Sequence, residues 1–347
     1  MRKPFLSLLI TLCFLCASLG ASTVEYAPSS VLSQGRWVKI RVAQTGIYKL
    51  TFTELQKMGF ANPAAVSVYG YGGWPLDEDF RQPYADDLPQ AAVYKGDNYL
   101  LFYGRGPVKW SYSTSLATFV HENNPYSSYG YYFLSDTSPV KTLAKETSVT
   151  GASLQVNTYD DYFVHEKDQV SVNKSGRELF GESFSLNTGQ TFPFAVPGIT
   201  DDPAKISFRF IAKPTTGQAL VILTAGTQPL LNASIPRSSI DDSYTKALEL
   251  SRTVSWNGAK TPDVQVGITY SRNTNDLAHL DYIRLHAVRT LKMYGPYTFF
   301  RSIASVGNVT RFVLQEASAN LKIWDVTNPV LPVEMETTLN GTECSFT

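Results

Sequence analysis

Few residues in this sequence are of a type able to do covalent chemistry. There are three cysteines, Cys13, Cys16 and Cys344, and four histidines, His121, His165, His279 and His286. A cysteine nucleophile needs an imidazole beside it and a well-held loop to stabilise the oxyanion. No motif ties a histidine to Cys344, which falls in the last predicted strand, so it reads as an ordinary half-buried thiol. His279-Leu280-Asp281 could set two metal ligands on one strand face, because alternate residues share a side. A metal site would need further ligands from elsewhere, and a histidine at a strand edge is the simpler reading.

The remaining candidates are binding features. Gly70-Tyr71-Gly72-Gly73 follows a predicted strand, as a phosphate loop would, but it lacks the spacing and the Lys-Ser/Thr of such loops and reads as a turn. The acidic groups Asp77-Glu78-Asp79, Asp86-Asp87, Asp201-Asp202 and Asp241-Asp242 match neither an EF-hand nor a calcium repeat. They read as solvated turns, with a loop calcium in the second region as the alternative. Trp110, Tyr112, Tyr126, Tyr129 and Tyr131 cluster in sequence as a sugar- or peptide-binding face would, although in β domains aromatics more often fill the core. No residue is assigned as catalytic, cofactor-binding or metal-ligating, and no cofactor is implied.

The elements that carry these residues begin with an export signal. Arg2 and Lys3, an apolar run from Phe5 to Leu15, and the small residues Ala17-Ser18-Leu19-Gly20-Ala21-Ser22 have the order of a signal peptide over 1–21. The run is shorter than the ~20 apolar residues of a membrane span, and no later stretch is long enough, so the mature chain is expected without a transmembrane segment. Neither Cys13 nor Cys16 follows a small residue, which argues against a lipid anchor. Both leave with the signal, so Cys344 is the sole mature thiol and no intramolecular disulfide can form.

Thirty basic and thirty acidic residues balance, leaving no global field to recruit nucleic acid or an anionic membrane. Twenty tyrosines and nineteen phenylalanines, with abundant Val, Ile and Thr, favour strands. Residues 22–150 read as an N-terminal β domain: a strand at 37–42, a hairpin partner at 47–50 across Thr45-Gly46, a helix capped by Thr51 and Glu54 and ended at Gly59, then strands at 66–69, 98–103 and 131–134. Residues 151–295 carry strands at 205–211, 219–223, 254–256, 264–270 and 281–285 between Gly, Pro and Asn turns, the pattern of an antiparallel sandwich, with a jelly roll as the expected version. Residues 296–347 read as a further β unit, incomplete because its Asn340-Gly341 hairpin stands at the end of the sequence. The fold class is mainly β, in consecutive antiparallel domains.

Several ordered motifs then resemble one family. They are Gly35-Arg36-Trp37-Val38-Lys39-Ile40 with Thr45-Gly46-Ile47-Tyr48-Lys49; Tyr69-Gly70-Tyr71-Gly72-Gly73; Gly96-Asp97-Asn98-Tyr99-Leu100-Leu101-Phe102-Tyr103; His121-Glu122-Asn123-Asn124-Pro125-Tyr126-Ser127; Tyr131-Tyr132-Phe133; Ser175-Gly176-Arg177-Glu178-Leu179-Phe180-Gly181-Glu182; Leu280-Asp281-Tyr282-Ile283; and Ile323-Trp324-Asp325-Val326-Thr327. Together they resemble the N-terminal region of the type IX secretion system sortases, relatives of the gingipain-like cysteine peptidases. The resemblance implies a surface-associated protein of Bacteroidetes-type bacteria, at the outer membrane. Its partners would be outer-membrane components of that system and cargo with C-terminal sorting domains. Full-length members remove the sorting domain and join the new carboxyl end to lipopolysaccharide, through a cysteine acyl-enzyme with a histidine base. No residue here matches that cysteine or histidine, and the sequence stops before the peptidase domain, so the expectation is a non-catalytic region. The alternative is a stand-alone exported glycan- or peptide-binding β protein.

Overall fold

The computed structural model describes residues 26–79, 81, 86–174, 176, 178–241, 244–272 and 276–347. The expected signal peptide lies outside the described residues, as do Asp242 and, among the quoted motifs, Ser175 and Arg177. Strands dominate, and no described helix is long and apolar enough to cross a membrane.

The N-terminal part holds β1 (Val38–Val42), β2 (Gly46–Thr51), α1 (Phe52–Lys57), β3 (Ser67–Tyr69), β4 (Gln90–Ala91), β5 (Val93–Lys95), β6 (Tyr99–Gly104), β7 (Val108–Ser113), β8 (Thr118–Asn123) and β9 (Gly130–Ser135). They form sheets of order β1-β9-β3-β4 and β2-β6-β5, and the two-stranded hairpin β7-β8. The expected β1–β2 hairpin is corrected here: β1 pairs with β9 and β2 with β6. The link at 43–45 instead carries the chain from one layer to the other. Val42 and Leu50 then pack into one core with Leu55, Phe60, Leu100, Phe102 and Leu134. Burying both apolar faces against each other removes more surface from water than pairing two edges would.

The cap of α1 is as the four residues dictate. The Glu54 amide donates to the Thr51 hydroxyl at 3.2 Å, and the Thr51 amide donates to the Glu54 carboxylate at 2.8 Å. Those bonds hold the Glu54 carboxyl below its ordinary value. Replacing Thr51 by Ala should cost about 1 kcal/mol in chemical denaturation; an unchanged midpoint would show that the box contributes nothing.

Two connecting strands, β10 (Ala144–Glu146) and β11 (Leu154–Val156), lead to the sandwich: β12 (Thr158–Glu166), β13 (Gly189–Ala195), β14 (Ala204–Ala212), β15 (Ala219–Ala225), β16 (Gln228–Ile235), β17 (Leu248–Trp256), β18 (Asp263–Ser271) and β19 (Ala278–Thr290). Its two antiparallel sheets have the orders β12-β19-β14-β17 and β13-β18-β15-β16. All but one of the seven connections cross between the sheets, the wiring of interleaved Greek keys. The core follows strict alternation: Val221, Leu223, Val266, Ile268 and Tyr270 point in from one sheet, Ile206, Phe208, Phe210, Ile283 and Leu285 from the other.

The last strands are β20 (Thr310–Leu314), β21 (Ile323–Asp325), β22 (Val333–Met335), β23 (Thr338–Asn340) and β24 (Glu343–Phe346). They do not form a sheet of their own. β20 pairs in parallel with β11, and β22 in parallel with β10, giving sheets β11-β20-β24-β23 and β10-β22-β21. Residues on both sides of the sandwich are thereby stitched together, around Leu291, Leu314, Ile323, Cys344 and Phe346. The Asn340-Gly341 turn joins β23 to β24, with Gly341 at φ 61°.

Candidate functional site: the hairpin–sandwich junction

The hairpin β7-β8 lies on the outer face of the sandwich sheet, over β12 and β19. A two-stranded hairpin is marginal in water on its own, so this docking is what holds it. Trp110 stacks on Tyr162 at 4.1 Å between ring centroids, Phe119 packs against Tyr162 and His286, and His121 meets Tyr282 edge-on.

The polar centre of the junction is His121, whose side chain is 3% exposed. Its Nδ1 lies 2.5 Å from Arg284 Nε, and its Nε2 lies 2.5 Å from Glu166 Oε2. A guanidinium can only donate, so Nδ1 is the acceptor and the ring proton sits on Nε2, donated to the carboxylate. Asn123 Nδ2 donates to the same Glu166 oxygen at 2.7 Å, and the Arg284 guanidinium lies over the Tyr282 ring at 3.8 Å. Burial lowers the Arg284 pKa from its ordinary value and raises that of nearby Asp168, with Glu166 adding to the latter.

A second histidine joins the same interface. His286 Nε2 is 3.0 Å from Asp160 Oδ1, and its Nδ1 is 3.4 Å from the Thr118 hydroxyl. Asp160 also accepts from the Ile303 amide at 2.7 Å. Arg289 and Arg301 both donate to Asp161, and the Arg301 guanidinium lies 4.2 Å over the Tyr162 ring. The segment after β19 thus closes one side of the junction.

The other sequence candidates are dispersed. Cys344 is buried in β24; burial pushes its thiol up, partly offset by a hydrogen bond with Thr337. His279 and Asp281 do not share a ligand: His279 Nδ1 is 3.1 Å from the Gly181 carbonyl, and Asp281 accepts from Arg209 at 2.9 Å. Arg209 is also held by Glu178 and Glu249, beside a shallow pocket of about 280 Å³. His165 and Lys167 both bind Glu182, whose carboxyl burial would raise but these donors hold low.

Among the described residues no group of three or more His, Cys, Asp or Glu is placed to hold a metal. Asp86 accepts from the Ala27 amide, Asp87 from Ser30 and Val31, Asp201 from Lys260, and Asp202 from Thr200. Asp77 accepts from the Asp79 amide, and Asp79 pairs with Arg81. The aromatics divide as well. Tyr131 lies under Lys39 and Tyr129 under Arg41 on the β1-β9 face, while Tyr112 packs on Phe119 and Tyr126 is exposed. Of the four histidines, His121 and His286 come together; their partners lie 45 to 168 residues away in sequence, and no local signal marks them.

Gly70–Gly73 is a packing device. A Cβ on Gly73 would stand 2.5 Å from the Gly130 Cα, and one on Gly72 would stand 2.7 Å from the Arg105 Cβ. The loop meets Arg105 through a Gly73 amide to Arg105 carbonyl bond of 3.0 Å, and the Arg105 guanidinium covers Trp74.

The sequence matches no protein-family model and no curated protein. Among solved structures it is similar to dimeric latent PorU from Porphyromonas gingivalis, with a TM-score of 0.83 and 30% identity over 91% of this chain and 30% of that one. A family 6 carbohydrate-binding module of the Zobellia galactanivorans laminarinase LamC gives a TM-score of 0.19 at 16% identity, covering 28% of this chain and 70% of the module. A family 35 module from Clostridium thermocellum gives 0.23 at 11%, covering 37% and 95%. Those two scores are too low to assign a shared fold. The chain spans about 30% of the length of the PorU structure that it follows over nine tenths of its own. This chain is a PorU-like N-terminal region, mainly β over its described residues.

Proposed function

We propose that this chain serves as the non-catalytic N-terminal β region of a type IX secretion system sortase. The carrying observation is the 0.83 TM-score to PorU across 91% of the chain. In this reading the complete enzyme removes the C-terminal sorting domain of exported cargo and transfers the new carboxyl end to lipopolysaccharide. The work of the β region is to position a peptidase domain and to contact outer-membrane components of the secretion system. The chain is exported, by a signal peptide at 1–21, and acts at the cell surface. Cys344 supports the non-catalytic role: a thiol held protonated inside a β sheet, hydrogen-bonded to Thr337, is a poor nucleophile.

Two measurements test this. Reading the gene beyond codon 347 should reveal a peptidase domain with a cysteine–histidine dyad, in frame or across a frameshift; unrelated sequence after a well-supported stop would sink the proposal. The purified chain should neither cleave nor transpeptidate a substrate carrying a C-terminal sorting domain. Turnover that disappears in Cys344→Ala would assign catalysis to this region instead.

A further inference from the structure

We propose that the β7-β8 hairpin is a strap on the sandwich that protonation of His121 releases. Both ring nitrogens of His121 are engaged, Nδ1 as acceptor from Arg284 and Nε2 as donor to Glu166. A second ring proton has only Nδ1 to occupy. It would point at the Arg284 N–H from 2.5 Å, replacing a hydrogen bond by two facing cations in a site almost closed to water.

The surrounding charges come from every element packed there. β12 and its continuation supply Glu166 and Asp168, and β19 supplies Arg284, Tyr282 and Asp281, the last lying within reach of the Glu166 and Asp168 charges. On the hairpin itself, Lys109 and Glu122 face each other across the ladder. Glu166 attracts an imidazolium, but it already holds the Nε2 proton of the neutral ring, so charging the ring gains no new bond. Burial holds the Asp168 and Asp281 carboxyls above their ordinary value, with Arg209 pulling Asp281 the other way.

His286, in the same interface, lacks this constraint. Its Nδ1 faces a hydroxyl, which can turn to accept as readily as it donates. The response therefore belongs to one ring. The released strap would uncover Tyr162, Tyr282, Arg284 and His286, which it covers in the closed state.

The test is hydrogen exchange on the mature chain at about pH 7.5 and about pH 5.5, corrected for the intrinsic rates, with His121→Gln as the key variant. Glutamine offers one acceptor and one donor and does not titrate. Wild type should lose roughly tenfold of its protection over 108–123 at the lower pH while the β14–β15 core keeps its own. His121→Gln should stay closed at both. Because that variant could open the strap by misfit alone, Arg284→Gln, which substitutes a neutral donor for the cation, is measured beside it. Suppression of the acid response in either variant supports the strap. A wild type with equal protection at both values, or both variants opening as it does, overturns it.

Discussion

Gly130→Ala should unfold the N-terminal part of this chain or cost it at least about 3 kcal/mol, an effect far beyond that of an ordinary strand substitution. A Cβ at this position would stand 2.2 Å from the Arg105 carbonyl oxygen, 2.8 Å from the Gly73 amide nitrogen and 2.9 Å from a Val42 methyl. The first two are backbone atoms, which cannot turn aside as a long side chain can. Gly130 opens β9 opposite Val42, so the displaced strand is the one that pairs with both β1 and β3. Moving it also breaks the Gly73 to Arg105 bond and pulls Tyr132, whose hydroxyl accepts from the Arg105 amide at 2.9 Å, out of the core. The measurement is a denaturation curve with separate probes for the N-terminal part and the sandwich. The first transition should move or vanish while the second stays. Gly151→Ala, at a site where a Cβ meets nothing within 4 Å, controls for the loss of a glycine as such, carrying only the strain of its positive φ. A wild-type transition in Gly130→Ala would mean that the three backbones can part without cost.

That crossing shows where sequence reading reaches and where it stops. Thr51, Glu54 and Gly59 declare a capped, glycine-terminated helix, because every partner lies within eight residues. The sandwich strands declare themselves too, since alternation such as that of 264–270 can bury only one face. Gly70–Gly73 announces a backbone of unusual freedom but not its reason, which is the approach of Gly130 from sixty residues away. The junction was less legible still. Trp110 reads as part of a binding face because its own strand gives no reason for its partial burial; Tyr162 from the sandwich supplies that reason, while Tyr112 stays exposed. His121, Glu166 and Arg284 belong to no spacing rule, because their meeting depends on how one unit settles on another. The parallel pairings of β10 with β22 and β11 with β20 are hidden likewise, as parallel partners need a long crossover and leave no turn signal.

Arg209→Met should destabilise the sandwich by about 3 kcal/mol at neutral pH, lowering its melting temperature by roughly 10 °C, and mild acid should return part of the loss. Arg209 bridges Glu178, Glu249 and Asp281, but these are unequal partners. The Glu178 and Glu249 side chains are 37% and 48% exposed, so water takes over when the guanidinium goes. The Asp281 side chain is 9% exposed and would be left as a nearly buried, unpaired charge. Its carboxyl is already held above the ordinary value by burial, with Arg209 pulling the other way, so removing Arg209 raises it further. A carboxyl with a raised folded value contributes stability below its unfolded pKa and loses it as pH rises through the folded one. The deficit of Arg209→Met should therefore be largest at neutral pH and shrink towards about pH 5. Adding Asp281→Asn, which removes the orphaned charge, should restore most of the loss and abolish the pH dependence. A deficit that stays constant across this range, or one that Asp281→Asn deepens, would show that Arg209 stabilises the sheet by packing over Phe180, where its guanidinium lies 5.5 Å from the ring.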